Sequence, residues 1–271
     1  MPTYTIVTTF NQAGYDLYGS RMIQSFLKNW PDSVKLYVYA EDCAVKETAH
    51  NLSVFNLHDA SPELVAFKQR WKNVPRANGD VSDDPIRSKR KDAGKGFKWD
   101  AIRFAHKVYA IFAAARTTQD DFLVWMDADN YCHSPITQER LEHLIPVTKD
   151  LCYLGRRGKY SECGLYAMNL RSNNTKKFLM RFENMYEDAE AGIFTLSEWH
   201  DSYVFDAVRK GLPMLHELNW SEGLITGEGH PLINSEWGAY LDHLKGARKQ
   251  LGHSKRKDIL VNRPEAYWRK I

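Results

Sequence analysis

Residues 122–136 read FLVWMDADNYCHSPI, and the rest of the chain is placed by this stretch. Phe122 to Met126 are apolar without a break, which suits a short strand buried on both faces, as the interior of a parallel sheet requires. The run stops at Asp127-Ala128-Asp129. In extended chain, side chains two apart leave the same side of the backbone. Two like charges near a core are costly to ionise unless a cation neutralises them, and removing one relieves repulsion. A hard divalent ion, Mg²⁺ or Mn²⁺, answers this need because it prefers carboxylate and phosphate oxygens. Open α/β sheets bind ligands at the carboxyl ends of their strands, where this pair falls. Asn130, Ser134 and Pro135 close the segment as a turn. The bland alternative is a solvated strand end. With 19 Asp among 271 residues, chance supplies roughly one D-x-D triplet, so the order of the surrounding elements has to decide.

On the N-terminal side, residues 3–10 (TYTIVTTF) are β-branched and aromatic, a first strand. Residues 17–30 carry apolar side chains at helical spacing, and residues 34–40 (VKLYVYA) form a second strand. This β-α-β opening is that of a parallel α/β sheet. Glu41 and Asp42 follow the second strand at its carboxyl end, and residues 52–57 read as a third strand. Residues 61–98 read as a long polar loop. Its cluster of Arg87, Lys89, Arg90, Lys91, Lys95 and Lys98 is either a solvated surface or, over residues 76–98, a lid that orders over an anionic ligand. Residues 99–115 form an amphipathic helix, with Asp100, Arg103 and Lys107 along one face. That strip is either mutually paired or turned toward the cleft below Asp127.

Beyond the central stretch, residues 151–154 and 161–170 (SECGLYAMNL) read as strands, with Gly164 permitting close approach of a ligand or another backbone. Residues 175–186 are helical, and a further helix opens at Trp199-His200-Asp201, where His200 and Asp201 can serve as caps. Residues 219–242 read as a Gly-rich loop.

Hydrophobic content of 43% and charged content of 26% are those of a soluble globular chain. A net charge of +3 excludes a global nucleic-acid signature. MPTYTIVTTF has no basic segment followed by an apolar run, so no secretory signal is expected, and no stretch approaches a membrane span. Cys43, Cys132, Cys152 and Cys163 form no CxxC pair and read as free thiols in a reducing, cytoplasmic compartment. The sequons at Asn51, Asn173 and Asn219 then carry no weight.

With Asp127-Ala128-Asp129 and the C-terminal HLKGARK, residues 243–249, both in view, the chain resembles glycosyltransferases of the GT-A fold. The HxxGxxK pattern is similar to the C-terminal signature of glycosyltransferase family 8, the glycogenin and bacterial galactosyltransferase group. In that family the motif continues with Pro-Trp, where this chain has Gln250-Leu251. SECGLYAMNL is similar to the family's sugar-site strand, with Glu162 where Asn is usual, and WHDSYVFD places Asp201 where such enzymes carry an acidic residue.

The resemblance implies one GT-A domain, an α/β fold with a mostly parallel sheet flanked by helices. Residues 1–130 would be the nucleotide-binding half and residues 131–271 the acceptor half. It implies a Mn²⁺ or Mg²⁺ ion on Asp127, Asp129 and His243, and a diphosphate against Gly246 and Lys249. Thr8 and Phe10 are candidates for the base pocket, and Arg103 and Lys107 for phosphate or sugar contacts. Asp201 and Glu162 are the candidate catalytic residues. The expected activity is metal-dependent hexosyl transfer from a nucleoside-diphosphate sugar, a UDP-sugar favoured, with retention favoured over inversion. The acceptor is a saccharide, a protein or a modified base. Two other classes remain open: a nucleic-acid-modifying or DNA-binding protein using the basic loop, and a non-catalytic carbohydrate-binding module using the Trp and Tyr residues.

Overall fold

The computed structural model describes residues 1–224 and 230–271. Residues 225–229, part of the stretch read as a Gly-rich loop, lie outside the described residues.

Seven strands form the central sheet: β1 (Tyr4–Asn11), β2 (Lys35–Glu41), β3 (Leu52–Asn56), β4 (Phe122–Met126), β6 (Leu151–Leu154), β7 (Glu162–Asn169) and β8 (Glu217–Asn219). Two more, β5 (Asn130–Cys132) and β9 (Leu241–His243), pair separately. The sheet order is β3-β2-β1-β4-β7-β6-β8. β3, β2, β1 and β4 are mutually parallel, β7 runs against β4 and β6, and β8 is parallel to β6. The architecture is therefore the expected one: α/β, mostly parallel, one reversed strand, helices on both faces.

Alternation along the strands builds two cores. Tyr4, Ile6, Phe122, Val124 and Met126 pack toward the helix Ser20–Asn29 and the C-terminal Trp237 and Trp268. Val7, Leu123 and Trp125 pack toward the helices Ala101–Thr117, Asn173–Glu187 and Asp201–Lys210. All five residues of β4 are buried, as its unbroken apolar run predicts.

Two segments depart from the sequence reading. Residues 61–98 are not wholly loop. Pro62–Trp71 is a helix with Pro at its start, burying Leu64, Phe67 and Trp71, a helical spacing masked by the polar residues between them. Residues 219–242 contain the helix Pro231–Asn234 and the first two residues of β9.

The basic loop is fastened by its own charges. Arg87 pairs with Asp84 and donates to Leu196 O, and Arg90 and Lys98 both pair with Glu198 and Asp92. Trp99 Nε1 donates to Ser197 O at 3.0 Å. Lys89, Lys91 and Lys95 stay exposed. Half of the cations expected to close over a ligand are thus already used. Burial alone would raise the Glu198 carboxyl, but His200 and Lys98 pull it down to about 2. A lowered carboxyl contributes stability above its unfolded value of about 4.3, lost as pH falls toward the folded value. Glu198→Gln should therefore destabilise by about 1.5–3 kcal/mol at pH 7, and the gap from wild type should narrow by pH 3. Urea unfolding at the two pH values checks this, and an equal gap at both would remove the clamp.

Candidate active site

The site is built at the carboxyl end of β4. Asp127 leaves the strand there, its N–H donating to Gly164 O of β7 at 2.9 Å. The chain then turns, with Asn130 N donating to Asp127 O at 3.0 Å, and enters β5. β5 pairs antiparallel with β9, which sets Asn130 opposite His243. That pairing carries the C-terminal motif to the paired aspartates.

His243 is fully buried and closes β9. Its Nε2 lies 3.1 Å from Asp129 Oδ1 and 3.5 Å from Asp127 Oδ2. The Asp127, Asp129 and His243 ligand atoms all fall within 4.8 Å of one another. Two carboxylate oxygens and one imidazole nitrogen form a donor set that suits Mn²⁺ or Mg²⁺, the nitrogen favouring Mn²⁺. The room for the ring comes from Gly164: a Cβ there would lie 2.2 Å from His243 Cε1. The close approach that Gly164 permits is thus to a side chain of the site itself.

Cations alternate with these acids. Lys107 Nζ sits 3.0 Å from Asp127 Oδ1 and 2.7 Å from Asp201 Oδ2. Lys249 Nζ is 3.1 Å from Asp129 Oδ2 and 4.5 Å above the Tyr18 ring. Lys245 pairs with Glu162, whose Oε1 is 3.7 Å from His243 Nδ1. Burial opposes charge on Lys107, Lys249, Asp127, Asp129, Glu162 and His243, yet their partners prevail. Lys107 and His243 hold the Asp127 carboxyl well below its ordinary value, and His243 and Lys249 lower Asp129. Lys245, His243 and Arg156 lower Glu162. The two aspartates lift His243 to about 9. The imidazolium proton and the two ammonium groups thus supply the positive charge that the paired carboxylates demand.

The structure brings Asp127, Asp129, His243, Lys249, Lys107, Asp201 and Glu162 into this one network. Asp100, at the head of the Lys107 strip, caps its helix by accepting from Arg103 N at 3.1 Å. Arg103 stays exposed one turn before Lys107. Gly246 adopts φ +58, and nothing lies within 4 Å of where its Cβ would be, so the turn leaves open space there. Thr8 and Phe10 are not brought to the site's surface. Both are buried, and the Phe10 ring is packed against Gly19 and stacked on Tyr15. Polar side chains at that end of the sheet include Thr9, donating to Glu41 Oε1 at 3.2 Å, and Glu41, whose Oε2 is 2.7 Å from His106 Nδ1.

Three contributors escaped the sequence reading. Trp125 Nε1 donates to Asp127 Oδ1 at 2.7 Å, His230 Nε2 lies 2.8 Å from His243 O, and Lys245 neutralises Glu162. Lys245 lies inside HxxGxxK and was open to notice. Trp125 reads as ordinary core, because its indole meets the carboxylate only through the turn after β4.

No family model and no curated protein matches the sequence. Among solved structures the chain is similar to the WbbM bifunctional glycosyltransferase, at 11% identity and TM-score 0.47 over 81% of this chain and 39% of that one. It is similar to GlyE of Streptococcus pneumoniae TIGR4, at 10% identity and TM-score 0.45 over 81% and 45%. It is also similar to a glycosyltransferase involved in glycosylation of the major capsid of PBCV-1, at 11% identity and TM-score 0.45 over 92% and 98%. The chain spans less than half the length of the first two. These likenesses concern the course of the backbone alone.

Proposed function

We propose that this protein transfers a sugar from a nucleoside-diphosphate sugar, a UDP-sugar favoured, to an acceptor, using a divalent ion held by Asp127, Asp129 and His243. The observation that carries the reading is the convergence of those three side chains, from two segments more than a hundred residues apart, at the carboxyl end of a mostly parallel sheet. A Mn²⁺ or Mg²⁺ ion there supplies charge neutralisation for a diphosphate leaving group.

The chain's own residues supply the rest. Lys249 is free to exchange its contact with Asp129 for a phosphate oxygen, as a point charge. Gly246 leaves the space beside it for the diphosphate. Lys107 holds Asp127 and Asp201 at fixed separation, and Arg103 stands at the rim. Asp201 is already engaged by an ammonium group, which suits a group that positions the donor sugar better than one that takes an acceptor proton. This favours retention. Glu162 orients His243 and Lys245 from behind. Thr9 and Glu41 replace Thr8 and Phe10 as the side chains offered to a nucleoside.

Two observations favour sugar transfer over the two other classes. Arg87, Arg90 and Lys98, the core of the basic loop, are committed to acids of this chain. Trp99, Trp199, Trp237 and Trp268 are buried in the cores and offer no sugar platform.

His243→Ala should weaken Mn²⁺ at least about tenfold, with a larger loss when UDP is present, since it removes one metal ligand. Lys249→Ala should weaken Mn²⁺–UDP about tenfold and leave uridine unaffected, because it removes only a contact to phosphate. Calorimetry with Mn²⁺, UDP and uridine tests both, and wild-type affinities in both variants would sink the reading of the C-terminal motif.

A further inference from the structure

We infer that Trp125 decides which ion the site accepts: it closes one oxygen of Asp127 and so selects a small octahedral ion, Mn²⁺ or Mg²⁺, against Ca²⁺. The inference rests on the proposed ion site and deepens it.

A carboxylate has two oxygens with about two lone-pair sites each. On Asp127 the two oxygens are used differently. Oδ1 accepts from Trp125 Nε1 at 2.7 Å and from Lys107 Nζ at 3.0 Å, so both of its sites are taken. Oδ2 faces His243 Nε2 at 3.5 Å, itself a proposed ligand, and the Asp127 side chain is 28% exposed. Oδ2 therefore stays open to an ion, and Asp127 can give that ion one oxygen and not two.

Trp125 can hold this arrangement against the pull of an ion because it belongs to the centre of the sheet. It is 2% exposed, and its backbone is paired on both sides, with Val7 of β1 and Tyr166 of β7. The centre of its ring lies 4.7 Å from Lys107 Nζ. The ring attracts the ammonium group while its N–H meets the carboxylate, so one side chain sets both partners of Oδ1. The indoles of Trp99, Trp199, Trp220 and Trp268 donate to backbone carbonyls, as buried tryptophans need only a neutral acceptor. Trp125 donates to a carboxylate instead, and a charged acceptor makes that bond the stronger kind.

The effect on ion choice follows from coordination. Ca²⁺ collects many oxygens in flexible geometry and accepts both oxygens of one carboxylate, whereas Mg²⁺ demands a near-ideal octahedron, a geometry that Mn²⁺ shares. Asp129 does not make this choice, since each of its oxygens has one partner, His243 for Oδ1 and Lys249 for Oδ2. The His243 nitrogen favours Mn²⁺ whatever stands at position 125, so a change in ion preference on substitution there reports the Asp127 oxygen.

Trp125→Phe keeps an aromatic ring beside Lys107 and removes the N–H. Mn²⁺ and Ca²⁺ are titrated by calorimetry into metal-free protein. Wild type should prefer Mn²⁺, and the ratio of Mn²⁺ to Ca²⁺ affinity should fall at least about tenfold in Trp125→Phe. Trp71→Phe is the control for lost packing. It lies in the same core, against Phe67 and Phe194, and should keep the wild-type ratio even as its thermal midpoint falls. A second measurement uses the indole N–H signals of the eight tryptophans in NMR spectra. The signal that moves upfield in metal-free Asp127→Asn belongs to Trp125, and in wild type it should hold its place when Mg²⁺ saturates the protein. An unchanged ratio in Trp125→Phe, equal wild-type affinities for the two ions, no indole signal sensitive to Asp127→Asn, or an upfield move on adding Mg²⁺ overturns the inference. Any of these with wild-type Mn²⁺ binding intact removes the role of Trp125 alone. A wild type that binds neither ion removes the proposed ion site, and this inference with it.

Discussion

Asp129→Asn should abolish Mn²⁺-dependent binding of UDP, a loss of about 100-fold or more. Even groups that only orient metal ligands change affinity by about 10–100-fold, and Asp129 offers an oxygen directly. The same substitution should destabilise the metal-free protein. From the sequence, the two aspartates look like a repelling pair whose loss would bring relief. In the fold, Asp129 lies between the His243 imidazolium and the Lys249 ammonium, while Asp127 has Lys107. Taking away one partner leaves buried positive charge without its counterion, which costs about 3–5 kcal/mol when burial is complete. Lys249 is partly exposed, so the lower end, about 3 kcal/mol, is expected. Calorimetry with Mn²⁺ and UDP and urea unfolding without metal give the two values. An Asp129→Asn protein that keeps wild-type Mn²⁺ affinity would place the metal elsewhere.

Gly164→Ala should both destabilise the protein and disable the metal site. Its Cβ would lie 2.2 Å from His243 Cε1 and 2.7 Å from Nδ1. Neither side can retreat easily. Gly164 O accepts from Asp127 N and Asn130 Nδ2, and His243 is held in register by β5. The ring must leave its place between the aspartates. Overpacking of this kind costs about 1–3 kcal/mol, and Mn²⁺ affinity should fall at least about tenfold with it. Gly94→Ala is the control, since nothing lies within 4 Å of that Cβ and its φ is not positive; it should be silent in both measurements. Equal thermal midpoints for the two variants would mean that Gly164 does not set the site's geometry.

Local sequence determined the framework. An unbroken apolar run of five residues has one economical use, a doubly covered strand, so β4 and its carboxyl end were legible from FLVWM alone. The alternating β1 and β2, with a helical stripe between them, set the parallel opening. The spacing in HLKGARK singled out His243, Gly246 and Lys249 by resemblance. What tertiary structure alone decided is where side chains far apart in the chain meet. The β5–β9 register puts Asn130 opposite His243, and a shift of one residue would have turned that imidazole to the other face. Glu198 ties down a loop that composition alone leaves mobile, because its partners lie about a hundred residues upstream. Thr8 and Phe10 went into the core, since burial at a strand end depends on which helix covers it. The charge on the paired aspartates follows the same rule. Spacing poses the need for a cation beside the pair, and only the fold shows that His243, Lys107 and Lys249 stand where they can provide it.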